Sequence, residues 1–376
     1  MQKIKLKNYP LFLTKTLFVL FALLLALPAC KKIKHELKDF SQVNLVANKA
    51  GYGAVTVDPQ FVNGWGIAFG PLGAAWVSAN GTGLSVIYNA LGVQVRPSVT
   101  IPSPTAATGG EPTGAVFNAS TTDFKLSNGN PARFIFAGTD GVISGWNTGN
   151  AAERVLNDAP NAVYTGLAMA SDGAANFIYA ANFKESKIDV YDKNWVEVTK
   201  PFTDPSLPSG YSPFNIQNVG GRLYVMYAKL GSTGDEEVGS GNGYVDIYNP
   251  DGSFVQRFTS RGALNAPWGV AEAPAGFLQE DESSSSMNSD YTDKHRSPEP
   301  LILVGNFGDG RINAYTHSGV FLGPLRTHST PIVIHGLWGI SFAPATATTV
   351  NPNWLFFAAG PNEETDGLFG YLSKGD

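Results

Sequence analysis

The sequence predicts an all-β chain folded as a six-bladed β-propeller of four-stranded antiparallel blades, and three observations predict it. Charged residues make up only 15% of the 376 residues while 42 are glycine, a composition suited to short strands joined by tight turns. A strand pair ending in an aliphatic residue, two spacers and an aromatic recurs six times. The last copy runs out of chain before its outer strand, and a spare strand stands near the N-terminus, as expected for a ring that closes on itself and leaves no open edge.

In chain order, Lys3, Lys5, Lys7 and Lys15 precede an apolar run from Leu17 to Leu27 that ends in Leu27-Pro28-Ala29-Cys30. The run is short for a membrane span, so residues 1–29 read as a signal peptide. Its end resembles a bacterial lipobox, with Pro28 departing from the usual small residue. Cys30 is the single cysteine, which makes an intrachain disulfide impossible and lipidation of Cys30 the expected use of its sulfur. Residues 30–39 then form a polar tether, and 40–376 the propeller. The address expected is the bacterial cell envelope, lipid-anchored, with the outer membrane preferred because no Asp follows Cys30; without acylation the chain would be secreted.

The alternating segment Gln42-Val43-Asn44-Leu45-Val46 is the spare strand. Each repeat then opens on a short strand with an early glycine: Trp65-Gly66-Ile67, Thr113-Gly114-Ala115, Thr165-Gly166-Leu167, Trp268-Gly269-Val270 and Trp338-Gly339-Ile340; the fourth repeat has Pro213-Phe214-Asn215-Ile216 instead. Glycine weakens a strand unless backbones approach closely, the condition of an innermost strand crowded around an axis. An apolar second strand follows, such as Phe134-Ile135-Phe136-Ala137, then the aromatic-ended third, such as Ile188-Asp189-Val190-Tyr191. Fourth strands are expected at Val93-Gln94-Val95, Val196-Glu197-Val198, Phe254 to Phe258 and Val320-Phe321-Leu322. Two stretches interrupt the pattern. Residues 279–299 are Ser-rich and acidic and read as a disordered insertion in the fifth blade, and Gly231 to Gly243 as a solvated Gly/acid loop in the fourth.

The phrases Asn80-Gly81-Thr82-Gly83, Phe214-Asn215-Ile216-Gln217, Gly241-Asn242-Gly243-Tyr244, Leu264-Asn265-Ala266-Pro267-Trp268-Gly269, Gly305-Asn306-Phe307-Gly308-Asp309-Gly310 and Gly336-Leu337-Trp338-Gly339 resemble a family of secreted bacterial β-propeller proteins of unknown function. More distantly the blades are similar to NHL repeats and to streptogramin-lyase and gluconolactonase-like propellers. The resemblance implies the fold and leaves the chemistry open.

Strand direction alternates within a blade, so loops entering first strands and loops joining second to third strands share one face. The entering loops place Asn63, Glu111, Tyr164, Asn215, Trp268, His335 and Trp338 there; the second set places Asn80, Asp140, Asn182, Lys229, Asn306 and Asn362. The asparagines suit either Asx turns or a polar ligand ring, and Trp268 and Trp338 either packing or ligand stacking. For catalysis, His335 is the histidine on this face, with Glu111 and Asp140 as carboxylate partners; His35, His295, His317 and His328 lie elsewhere. One cysteine and scattered histidines give no zinc spacing. No cofactor is called for, although Ca2+ could be held by the channel-mouth oxygens or by Asp235, Glu236 and Glu237. A net charge of -5 disfavours nucleic acid as partner. The function expected is a monomeric binding or scaffold module, anchored to a membrane by lipid, for a small-molecule, glycan or protein ligand. The alternative is an enzyme of the lactonase or lyase type on the channel-mouth face, and a third reading makes the 279–299 insertion the contact element.

Overall fold

The computed structural model describes residues 37–278 and 300–375. The expected signal peptide, Cys30 and the expected insertion at 279–299 lie outside the described residues.

Six antiparallel blades surround one axis. Blade 1 is Gly64–Phe69, Ala75–Ala79, Leu84–Tyr88 and Val99–Thr100; blade 2 is Pro112–Phe117, Phe134–Gly138, Val142–Trp146 and Glu153–Asn157. Blade 3 is Tyr164–Asp172, Ala175–Asn182 and Lys187–Asp192; blade 4 is Tyr211–Val219, Arg222–Lys229, Tyr244–Tyr248 and Phe254–Ser260. Blade 5 is Pro267–Glu272, Ile302–Asn306, Ile312–Tyr315 and Phe321–Pro324. Blade 6 takes Leu337–Phe342, Leu355–Ala359 and Leu368–Lys374 from the C-terminal end and its outer strand, Phe40–Ala47, from the N-terminal end. That outer strand runs antiparallel to Leu368–Lys374 from Phe40↔Lys374 to Ala47↔Leu368, so the expected closure is present. Thr56–Val57 adds a short parallel strand outside it.

Two fourth strands differ from expectation. In blade 3, residues 196–198 form only a bridge, Tyr191↔Glu197, flanked by Asp192 N–H to Val196 O and Val198 N–H to Val190 O, before Pro201, which has no N–H to continue a ladder. In blade 1, Gln94 bridges Tyr88 and Pro97 interrupts, so the paired strand comes later at Val99–Thr100.

Blades pack face to face, and each interface is its own apolar core. Along the second strand of blade 4, Leu223, Val225 and Tyr227 face blade 3 while Tyr224 and Met226 face blade 5. Both faces of an inner strand are therefore buried, which is why these strands read as unbroken apolar runs rather than alternating ones. The aromatics ending the third strands sit in these seams: Tyr88 between blades 6 and 1, Trp146 between 1 and 2, Tyr191 between 2 and 3, Tyr248 between 3 and 4, and Tyr315 between 4 and 5. The 5–6 seam gathers Phe40, Leu303, Leu337 and Phe357.

Around the axis the inner strands touch through their glycines. A Cβ on Gly66 would meet Thr113 O at 2.5 Å, and one on Gly114 would meet the backbone of Leu167 and Gly166. A Cβ on Gly166 would overlap Asn215, one on Gly269 would meet Ile340 N and Trp338 O at 3.0 Å, and one on Gly339 would overlap Trp65 O. Each glycine thus admits the next blade. Blade 4, which lacks the glycine, uses a side chain instead: Asn215 Nδ2 donates to Trp268 O of blade 5 at 2.7 Å, and its Oδ1 accepts from Ile216 N–H at 2.8 Å. The inner strands are thus in close contact all the way round.

Candidate functional site

The three tryptophans that start inner strands converge on the axis rather than dispersing into the blade seams. Trp65 stacks on Trp338 with ring centroids 3.4 Å apart, Phe307 stacks on the same indole at 4.0 Å, and Trp268 stands edge-on to both indoles at 6.0 Å. Phe214 and Phe183 complete the cluster. These rings come from blades 1, 3, 4, 5 and 6 and close the channel as an aromatic floor. Trp338 Nε1 donates to Asn63 Oδ1 at 3.2 Å, and Trp268 Nε1 donates across the axis to Thr165 O at 2.9 Å. Trp65 is 5% exposed and its indole N–H meets no hydrogen-bond acceptor among the described residues, an arrangement that costs stability when nothing else compensates.

Above the floor lies a cavity of about 550 Å³. Its apolar base is Trp65, Trp338, Phe214 and Phe183, and its charged wall is Asp235, Glu236, Glu364 and Lys184. Asn80 and Thr139 add polar edges, and Asn80 Nδ2 is also buried without an acceptor.

Two loops aim the carboxylates. The 231–243 loop of blade 4 is not a free excursion: Leu230 bridges Glu236, Glu237 N–H donates to Lys229 O at 2.7 Å, and Gly231 N–H to Asp235 O at 2.7 Å. This tight turn leans over the mouth. In blade 6 the loop between the second and third strands carries three successive left-handed residues, Asn362, Glu363 and Glu364, with φ of 57°, 53° and 63°. For the two glutamates this conformation costs on the order of 1–2 kcal/mol each, and backbone strain of this kind concentrates where a side chain must be aimed. The side chain aimed here is Glu364, whose Oε2 accepts from Asn63 Nδ2 at 2.7 Å. Asn63, itself left-handed, thereby ties the floor to the wall.

Burial raises the Glu236 carboxyl to about 7, reinforced by the like charges of Glu364 and Asp235. Glu364 is raised by burial as well, opposed by the Asn63 hydrogen bond and supported by Asp235. On the blade 2 rim, Asp140 is raised to about 6, first by burial and then by neighbouring Glu111. The cavity thus concentrates negative charge next to hydrocarbon, where charge is poorly screened.

The residues singled out in the sequence are not gathered into one ring. Asn80 and Trp338 line the cavity and Asn63 braces it. Asn182 is buried, accepts from Val163 N–H and donates to Asp189. Asn306 donates to Ala263 O and Asp309, and Asn215 and Trp268 are bonded to each other. Lys229 pairs with Glu237 at 2.7 Å, and Asn362 is exposed in its left-handed turn, donating to Thr365 Oγ1. His335 is exposed before blade 6 while Glu111 and Asp140 belong to blade 2, and no His335 bond to either occurs among the described residues. Glu111 accepts from Thr139 Oγ1. Asp235 and Glu236 face the cavity but Glu237 turns to Lys229, so the three do not converge. Of the carboxylates that do converge, Asp158, Glu185 and Asp189, the last two already hold the Lys187 ammonium, at 2.9 and 3.0 Å. Sequence reasoning missed Glu364, because nothing in Asn-Glu-Glu-Thr announces a left-handed turn. It also placed Glu236 in solvent on the composition of its loop.

No protein-family model matches the chain. Among solved structures, a streptogramin B lyase covers 89% of the chain and 97% of its own at 12% identity and TM-score 0.48. Virginiamycin B lyase from Staphylococcus aureus covers 89% and 98% at 13% identity and TM-score 0.48. By sequence, uncharacterized protein R648 of Acanthamoeba polyphaga mimivirus is 35% identical over 88% of this chain and 79% of its own length. Uncharacterized protein L690 of the same virus is 33% identical over 89% and 86%. These relatives are viral, so the bacterial source implied by the resemblance has no support in them. With identity of that order along most of both lengths, the chain belongs to one family with the mimivirus proteins R648 and L690.

Proposed function

We propose that the propeller is a binding module whose small ligand enters the mouth cavity between Glu236, Glu364 and the aromatic floor. The observation that carries the reading is the strained blade 6 turn, which spends three left-handed residues to hold one glutamate over a closed aromatic base. A concave, partly apolar site with a few converging polar groups is the usual form of a small-molecule pocket. The same reading keeps the chain extracytoplasmic, anchored through Cys30; support for it is the lysine-flanked apolar run and the lone cysteine. No described helix is long and apolar enough to cross a membrane.

Thr233 is exposed on the cavity rim, so Thr233→Trp obstructs the mouth without touching a core. A thermal-shift screen of small molecules, run on both proteins, should give compounds that stabilise the wild type by several degrees and the variant by much less. Hits that stabilise both equally would move the site elsewhere. Glu236, poised near neutrality, favours one second reading, a general acid–base role in turnover. In that case a hit would be chemically altered by the wild type and returned intact by Glu236→Gln.

A further inference from the structure

Resting on that reading, we propose that the ligand of the mouth cavity is a small organic cation, an amine that also carries hydroxyl or carbonyl oxygens. The charged groups facing the cavity are Asp235, Glu236 and Glu364 against the single ammonium of Lys184. Glu111 and Asp140 stand on the adjoining blade 2 rim, where Glu111 holds Thr139 of the cavity edge. The other nearby cations are spoken for, Lys229 by Glu237 and Lys187 by Glu185 and Asp189. Lys184 itself donates to Pro160 O at 2.5 Å. The balance of the cavity is therefore anionic, and an incoming cation meets carboxylates that water screens on one side only.

A bare metal ion suits the cavity poorly. Calcium takes six to eight oxygen ligands, whereas the base here is aromatic carbon and the wall includes the Lys184 ammonium, a donor. An aromatic base favours an ammonium through the ring quadrupoles, and the Lys184 ammonium, which carries three donors and gives one to Pro160 O, favours a ligand with acceptor oxygens. One molecule satisfies both by carrying an ammonium and, a few bonds away, oxygen. The strained Glu364 turn supplies the fixed counter-charge, held by Asn63. Glu236 supplies an adjustable one, because it shares its proton with solvent near neutrality and must lose it to face a cation.

The test is isothermal titration calorimetry of the purified chain with glucosamine and ethanolamine as cationic probes, glucose as the neutral counterpart of the first, and calcium chloride. Glucosamine is expected to bind at least tenfold more tightly than glucose and to release protons at pH 7, seen as a heat that varies with the ionisation enthalpy of the buffer. Its affinity should fall about tenfold per pH unit once Glu236 is protonated. Glu364→Gln, which keeps the oxygen that accepts from Asn63, should weaken glucosamine at least tenfold with an unchanged melting temperature. Glu236→Gln should abolish the proton release. Equal binding of glucose and glucosamine, binding of calcium alone, or silence of both amines overturns the proposal. A neutral compound that Thr233→Trp blocks would leave the cavity as the binding site and remove only the cationic ligand. A compound indifferent to Thr233→Trp would remove both.

Discussion

Asn215 shows how one residue can replace a backbone rule. Where other blades admit their neighbour through a glycine, blade 4 inserts an amide that bonds to Trp268 O, so Asn215→Ala leaves that buried carbonyl short of a donor and should cost about 1–3 kcal/mol in urea unfolding. At Gly114 the opposite failure is expected. A methyl there runs into the Leu167 backbone, and Gly114→Ala should lower stability by about 1–3 kcal/mol through overpacking; an unchanged midpoint would mean that the blades can separate at no cost. Glu236 makes the pH prediction. Its folded value of about 7 lies above the ordinary 4.5, so between those values the folded chain holds more protons than the unfolded one, and the contribution of Glu236 to stability is lost as pH rises through that window. Glu236→Gln should therefore be the more stable protein at pH 8, with the difference vanishing below about pH 4.5, as read from denaturant midpoints at each pH.

At the scale of the element, the closing strand is the clearest case. Phe40 is fully buried in the 5–6 seam beside Phe277, 4.9 Å between centroids, though it lies more than 300 positions from the strand it pairs with. Phe40→Ala should cost about 3–5 kcal/mol, and removal of residues 37–47 should expose the Leu368–Lys374 edge and drive self-association, visible by light scattering. This element was legible in the sequence, because the spare alternating strand and the truncated last repeat were both apparent and only one arrangement used both. The inner-strand glycines were legible for a similar reason: a glycine inside an apolar strand has few physical uses. The mouth loops were not. Gly231 to Gly243 looks like solvent-exposed chain by composition, yet its turn is fixed by backbone bonds to Lys229 and Leu230 that no residue type announces. Fourth strands were the weakest part of the reading, since their exposed faces impose little pattern; Pro97 and Pro201 decided where pairing stops.

For the whole molecule, the ring explains why a cavity opens at the mouth. Six seams bury the apolar faces, the glycine contacts draw the inner strands together, and the remaining large aromatics meet on the axis and seal it. Above that seal the mouth cavity is walled by loop residues such as Asp235, Glu236 and Glu364. Glu272 and Ile302, the described strand ends nearest 279–299, pair at the end of blade 5 opposite Pro267 and Asn306. The most direct measurement of the central claim is hydrogen–deuterium exchange of the full chain with and without a bound hit from the screen. Protection should rise on residues 231–237 and 360–366, the two turns that carry Asp235, Glu236 and Glu364 over the mouth. Protection confined to the opposite face, with both turns exchanging as before, would contradict the account.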